Sequence, residues 1–579
     1  MNTSPACTFG ANVKPYGVAF RVWAPRAKKV VLELCSPPFL LLPMNKESGG
    51  FFSLACTNAA AGTHYQLRID GRVVPDPASR FQPCDVYGPS EVVDPGQWRW
   101  RDDSWQGRPW HEAVIYELHV GAFSEQGDYA GVIQQLDRLQ RLGITAIELM
   151  PLADFPGRFN WGYDGVLWYA PDHRYGRPEQ LQAFLDAAHD RGLMVFLDVV
   201  YNHFGPEGNF LFHYARFLRR GCHTPWGDCI AIDRAAVRRF IIENVLYWLK
   251  SYHLDGLRFD AVQYLIADGD RPLLADIAES VSESVTDRHV HLMLENDDNR
   301  VDYLTHGYRA QWNDDFHHAC HVLLTGEQFG YYQDYPNPLP ALAKSLSQGF
   351  VYQGQVSAFR GRARGQDSRS LSPLSFIHYL QNHDQVGNRP QSQRLSRSEL
   401  LLGLTAVLCL APAVPLFFMG QEWGADQPFP FFSDLSPCFR DIAQRGRLHE
   451  MAALTGISAR MLKKHVALPW RGQTFTQAKL DPPDQEQQAW LRAIRTMLHL
   501  RHTHIIPLLA ESEPHSHYRC QDDRLSVHWC WPSQCLEICI CGSAIAAKPP
   551  AHWHTLLYPL PGMKPCKPWS IFAGLYTVA

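Results

Sequence analysis

Gly256-Leu257-Arg258-Phe259-Asp260 is a short run whose side chains alternate between apolar and charged and which stops on a carboxylate. Successive side chains of a strand point to opposite faces, so Leu257 and Phe259 share one face while Arg258 and Asp260 share the other. Two further apolar runs end the same way. Val290-His291-Leu292-Met293-Leu294 leads into Glu295, and Phe376-Ile377-His378-Tyr379-Leu380-Gln381 leads into Asn382-His383-Asp384. If the three runs are strands of one parallel barrel, their carboxyl ends open on a common face, where barrel enzymes carry their chemistry. Asp260, Glu295 and Asp384 are therefore expected around one pocket.

Outward from these runs, strands alternate with helices from residue 114 onward. Apolar runs at 114–120, 146–150 and 195–200 precede the one at 256, and runs at 310–316, 375–381 and 415–420 follow the one before Glu295. Helical spacing separates them: Val132, Ile133, Leu136, Leu139 and Leu142 stop at Gly143, and Leu181, Phe184, Leu185 and Ala188 follow Pro178. Val237, Phe240, Ile241, Val245 and Leu249 form a third such stripe, with Asp233 as the expected cap, and further helices are expected near 272–284 and 398–410. Eight strand-then-helix units predict an α/β fold, a (β/α)8 TIM barrel, with an open doubly wound sheet as the alternative. Short alternating runs broken by Gly and Pro predict an N-terminal β-sandwich over 1–95. The barrel with its insertions is placed at 96–490 and a C-terminal β domain at 491–579. The stretch 204–232 is far longer than an ordinary strand-to-helix connection, which marks a binding loop.

The chain has 579 residues and a formal net charge of -4, from 54 basic and 58 acidic side chains without long single-sign runs. That distribution offers no electrostatic footprint for nucleic acid and suits a neutral partner. Aromatic residues make up 12% of the chain, enough to supply flat faces for sugar rings beyond those the core needs. No apolar run approaches the roughly 20 residues that span a bilayer, so no membrane association is expected. Fifteen scattered cysteines, and an amino terminus Met1-Asn2-Thr3-Ser4-Pro5 with no basic-then-apolar pattern, are read as a reduced cytoplasmic protein. Cys530, Cys535, Cys539 and Cys541 lack convincing zinc spacing and sit in an alternating, strand-like run.

Arg258 beside Asp260 favours an ionised carboxylate able to act as a nucleophile or counterion, although a structural ion pair reads equally well from this run alone. Glu295 follows apolar residues and lies near another anion, so it is expected to keep its proton and serve as a general acid, or else merely to cap its loop. Asp198-Val199-Val200-Tyr201-Asn202-His203 repeats the pattern at the third strand; His203 and His383 are candidate donors to sugar hydroxyls, and Asp198 either braces Arg258 or meets substrate. Tyr163, in Trp161-Gly162-Tyr163-Asp164, follows the second strand as a candidate stacking platform.

Together, Asp198–His203, Gly256–Asp260, Glu295 and Asn382–Asp384 resemble the four motif regions of the α-amylase family of retaining glycoside hydrolases. The resemblance implies that Asp260 is the nucleophile, Glu295 the acid/base and Asp384 the transition-state carboxylate. It implies equally that Arg258, His203, His383 and Tyr163 line the subsite of the cleaved glucose. The N-terminal sandwich is expected to be carbohydrate-binding-like, and no cofactor or metal is assigned: calcium, familiar in α-amylases, is not clearly implied, since Asn202 matches one ligand position and the 204–232 loop supplies no recognisable others. Stretches outside the motifs, such as Trp312-Asn313-Asp314-Asp315-Phe316-His317-His318 and Phe418-Met419-Gly420-Gln421-Glu422-Trp423-Gly424, are similar to one branch of the family. That branch hydrolyses the α-1,4 bond next to the terminal trehalose of malto-oligosyltrehalose. A related α-glucan debranching or branching enzyme, and an inactive amylase-like binding protein, are the alternatives. A monomer or weak homodimer is expected.

Overall fold

Eight parallel strands close into one barrel: β1 (Ile115–Leu118), β2 (Ala146–Leu149), β3 (Met194–Val199), β4 (Gly256–Phe259), β5 (His291–Leu294), β6 (Ala310–Trp312), β7 (Phe376–Tyr379) and β8 (Val414–Phe418), with β8 pairing back to β1. The computed structural model describes residues 8–102, 104–265, 272–542, 548–560 and 569–577, so the Met1–Pro5 reading lies outside the described residues. Each expected run forms one barrel strand, and closure excludes the open-sheet alternative.

Alternation along these strands builds the barrel interior in layers. Ile115, Ala146, Met194, Phe196, Met293, Ala310, Ile377, Val414 and Leu416 point inward and form an apolar plug apart from the main core. Each large apolar side chain fully buried there contributes roughly 1.5–3 kcal/mol. Two residues further along, the same inward positions become Glu117, Glu148, Asp198, Arg258 and Glu295. The plug therefore forms the floor of a charged layer at the carboxyl end.

The outer helices follow the expected stripes. In Pro178–His189 the residues Leu181, Phe184, Leu185 and Ala188 are buried, and proline stands at the first turn where its missing N–H costs nothing. The stripe at 132–142 is two helices, Tyr129–Ile133 and Leu136–Leu142, and Gly143 ends the second at φ 104°. Asp233 is not a cap: Ala235–Ser251 starts after Arg234. Ser398 caps Glu399–Leu410 through a hydrogen bond from Leu401 N at 3.1 Å.

Ahead of the barrel, a sheet of Gly10–Lys14, Gly17–Trp23, Phe51–Cys56 and Asn45–Lys46 faces one containing Leu40–Pro43, Val30–Leu34, His64–Ile69, Arg72–Val74 and Ser90–Glu91, giving the expected sandwich. At the other end, helix Gln485–Leu500 runs across residue 491, where a β domain was expected to begin. The antiparallel sheet itself starts at His515 and has five strands. Its first two strands pack on helix Pro338–Gln348.

The stretch 204–232 is not irregular. It holds a helical turn, Leu211–Tyr214, and a hairpin, Leu218–Thr224 with Gly227–Ile230, that carries the disulfide Cys222–Cys229. A second disulfide joins Cys530 and Cys535, which face each other across a hairpin with Cα atoms 4.1 Å apart. The expectation of wholly reduced cysteines is corrected here: irregular spacing in sequence hides pairs that antiparallel register brings together. Among the described residues no helix is long and apolar enough to cross a membrane.

Candidate active site

Arg258 is fully buried in the barrel mouth and reaches three carboxylates. Its Nη1 donates to Asp198 Oδ2 at 2.6 Å and Asp260 Oδ1 at 2.9 Å, and its Nη2 donates to Glu295 Oε2 at 2.6 Å. The guanidinium lies 4.2 Å from the centre of the Trp312 ring, which closes its other face. Strand register explains the gathering: Asp198 pairs with Arg258 across β3 and β4, and Glu295 follows directly on β5. Ala261 takes left-handed φ of 43°, a conformation unfavourable for a residue with a Cβ, and so turns its N–H onto Glu295 Oε2 at 3.0 Å.

Asp260 also accepts from Asn202 Nδ2 at 2.6 Å. Burial pushes its carboxyl above the usual aspartate range, with the Arg258 charge and the Asn202 hydrogen bond pulling the other way. Glu295 is pushed up to about 8, first by burial and then by the charges of Asp260 and Asp384, against Arg258. Its side chain still keeps 20% of its surface open, enough for a substrate atom to reach it. Glu295 therefore holds its proton near neutrality, while Asp260 is the carboxyl of the pair to which both Arg258 and Asn202 donate, an environment that favours its anion. Arg258 alone does not set the ionisation of Asp260, as its run had suggested; one guanidinium is shared among three acids.

Asp384 stands at the start of helix His383–Gly387, whose cap Asn382 accepts from Gln385 N. Its Oδ2 lies 3.4 Å from His383 Nε2, and its charge acts on both Asp260 and Glu295, so all three expected carboxylates share the pocket. His383 Nδ1 meets Glu117 Oε1 at 2.5 Å and its Nε2 meets the Tyr163 hydroxyl at 2.8 Å. Burial disfavours the imidazolium, but Asp384 and Glu117 outweigh burial and raise the His383 pKa to about 9. Tyr163 stacks on His383 with ring centres 5.1 Å apart and donates to Asp198 Oδ2 at 2.6 Å. Asp198 thus braces Arg258 and Tyr163.

His203 differs from its expected part. Its Nε2 is 2.9 Å from the Tyr163 carbonyl and its Nδ1 faces Asn202 Oδ1, so both nitrogens are engaged within the protein. Asn202 donates its amide nitrogen to Asp260 and turns its amide oxygen to His203, so both ends of its side chain have protein partners. Against His203 stacks Trp226, from the tip of the 218–230 hairpin, with ring centres 5.2 Å apart.

Glu117 and Trp226 were not singled out as site residues from sequence, and Asn202 only as a match to a calcium position, not as a partner of Asp260. Glu117 carried a signal, being a carboxylate midway along an apolar strand, but its partner His383 is 266 residues away. Above the plug, Glu148 has neither carboxyl oxygen hydrogen-bonded to protein, and burial and the charge of Glu117 raise its pKa well above the ordinary value.

Residues 98–216 match the family model of the alpha amylase catalytic domain, and residues 8–95 that of carbohydrate-binding module 48, the isoamylase N-terminal domain. The chain is 39% identical to the malto-oligosyltrehalose trehalohydrolase of Deinococcus radiodurans over 86% of this chain and 83% of that one. It is 41% identical to the Saccharolobus solfataricus protein of the same name, over 74% and 77%. A crystal structure of a Salmonella typhimurium protein described as an amylase superposes with a TM-score of 0.92 at 40% identity, over 99% of this chain and all of that one.

Proposed function

Because the chain belongs to the malto-oligosyltrehalose trehalohydrolases of the α-amylase family, we propose that it hydrolyses the α-1,4-glucosidic bond next to the terminal trehalose of malto-oligosyltrehalose. The reaction is a retaining double displacement. The observation that carries the chemistry is one guanidinium bonded at its two ends to Asp260 and Glu295. Two carboxyls held by one such group lie close together, as a retaining pair about 5–5.5 Å apart must.

Glu295 passes its proton to the glycosidic oxygen while the Asp260 carboxylate attacks the anomeric carbon from the opposite side. The carbon–oxygen bond breaks, trehalose departs with that proton, and the remaining glucan is held as an ester of Asp260. Glu295, now ionised, takes a proton from water, whose oxygen displaces Asp260 and restores the α configuration. Arg258 stays charged throughout and offsets the negative charge returned to Asp260. Asp384, turned into the pocket beside His383, is the acceptor for sugar hydroxyls. Tyr163 and Trp226 offer ring faces on which glucose units stack.

The linkage preference is tested by offering purified protein three substrates: trehalose-capped malto-oligosaccharide, maltopentaose and a branched glucan. Rapid trehalose release from the first, with slow action on the other two, is expected. Preferential cleavage at branch points would replace this reading with a debranching one, and no sugar release from any substrate would leave a binding protein.

A further inference from the structure

The loop that carries Tyr163 is rooted in a small antiparallel ribbon, Ala153–Asp154 against Leu167–Pro171. At the root, where Asp172 continues from the second strand, three potential ligand atoms converge. A carboxylate oxygen of Asp154, one of Asp172 and a ring nitrogen of His173 lie within 4.8 Å of one another, the only such group of three or more among the described residues. Asp154 and Asp172 are both fully buried.

Their hydrogen bonding is uneven. Asp172 is well supplied, accepting from Arg174 N at 2.9 Å, Phe155 N at 3.2 Å and Arg174 Nη1 at 3.2 Å. Asp154 has neither oxygen hydrogen-bonded; the neighbouring His173 amide supplies only a weak interaction outside hydrogen-bond geometry. An unpartnered buried carboxylate is costly, so something absent from the protein chain belongs there.

His173 points to what that is. Its Nδ1 lies 3.4 Å from Arg174 Nη1, a group that can only donate, so Nδ1 is the unprotonated ring nitrogen and its lone pair lies on the side of Arg174 and Asp172. The same Nδ1 lies 3.6 Å from Asp154 Oδ1. Two lone-pair atoms facing each other repel unless a proton or a metal ion sits between them; burial and the charges of Asp172 and Asp85 raise the Asp154 pKa, so in the absence of an ion a proton takes that place. Two ligands of a tetrahedral divalent ion with bonds of about 2.1 Å stand about 3.4 Å apart, close to this spacing. Charge agrees. Asp85, Asp154 and Asp172 bring three carboxylates, and among the described residues Arg174 is the one arginine or lysine ion-paired with them, bonding Asp85 at 2.8 Å as well as Asp172. With the acids ionised, two negative charges remain.

We propose that Asp154, Asp172 and His173 form a divalent-cation site that closes the base of the Tyr163 loop. Mixed oxygen and imidazole ligands suit manganese or zinc over calcium. Arg174 shares Asp172 with the ion and links the cluster to Asp85, which also accepts from Gly157 N in the same loop at 3.2 Å. The ion is remote from bond cleavage; its part is to fix the ribbon from which Tyr163 extends.

The test uses the full chain stripped with a chelator, then titrated with Mn2+, which the many thiols attract less than zinc, and followed by electron paramagnetic resonance. One bound ion per chain is expected, with a rise in the unfolding midpoint and displacement by Zn2+ more readily than by Ca2+. Affinity should fall at least about tenfold in Asp154→Asn and in His173→Gln. The second variant keeps the test valid if the first fails to fold, because His173 is partly exposed. No bound Mn2+ up to about 1 mM, where even weak carboxylate-rich sites fill, or equal binding by both variants, would overturn the site and leave the proposed hydrolysis untouched.

Discussion

Both ends of the barrel bury a cationic side chain among carboxylates, and they satisfy it very differently. At the amino end, His189 is enclosed with Nδ1 2.9 Å from Asp102 and Nε2 3.0 Å from Asp255. Asp102 also meets His253 at 2.9 Å, and Asp255 accepts from Trp105 Nε1 at 2.7 Å and Val195 N at 2.8 Å. Every polar side-chain atom of His189 and Asp255 has a partner. At the carboxyl end, Arg258 serves three acids, yet its own Nε, Asp198 Oδ1 and both oxygens of Glu148 have none. A satisfied cluster holds segments together; an unsatisfied one keeps charge available for a substrate. The contrast matches the division of labour between the two faces of such barrels, chemistry at the carboxyl end and stability at the amino end.

The strongest way to break this contrast is at Asp260. Asp260→Asn is expected to lower kcat by about 10⁴-fold or more, as loss of a nucleophile does, with the unfolding midpoint little changed and oligosaccharide binding retained. Activity near the wild-type level would move the chemistry elsewhere.

Next in size is the amino-end cluster. Asp102→Ala leaves His189 and His253 without their shared anion and is expected to cost about 3–5 kcal/mol, read by denaturant unfolding, while kcat per folded molecule is unaltered. The pH response sharpens the same point. Burial disfavours protonated His189, but Asp255 and Asp102 outweigh it and raise its pKa to about 9. Its stabilising contribution is therefore complete below the unfolded value of about 6.5 and is lost as pH rises through about 9. Burial works against the Asp102 anion, but His189 and His253 hold its pKa below the ordinary value. That contribution is complete above about 3.9 and fades only in stronger acid. Unfolding free energy independent of pH between about 6.5 and 9 would contradict the cluster.

The smallest expected effect is at Glu295 under mild alkali. Turnover needs its proton, so kcat/KM should fall as pH rises through about 8, the value to which burial and neighbouring acids push it. The decline is about tenfold for each unit above that value. In Glu295→Gln the alkaline limb should vanish along with most of the rate; an unchanged limb would assign it to another group.

Much of this was legible before folding. The alternation in Gly256–Asp260 placed Arg258 and Asp260 on one face, and the apolar runs before Glu295 and Asp384 placed both at strand ends. What alternation could not show was contact across the barrel. Glu117 meets His383, and Asn202 meets Asp260, through neighbours hundreds or tens of positions apart. The part played by His203 was misjudged for the same reason, because a backbone carbonyl at Tyr163 that occupies its Nε2 leaves no trace in residue type. The disulfide Cys530–Cys535 escaped notice because only hairpin register sets its two halves opposite each other.

The order of residues alone determined the barrel, its eight strands and which side chains point to its mouth, because a strand repeats every two residues and apolar runs declare where it lies. How strongly the expected acid holds its proton was decided only by tertiary structure. That strength depends on how deeply each carboxyl is buried and how one guanidinium is divided among Asp198, Asp260 and Glu295, distances that do not exist until the barrel closes.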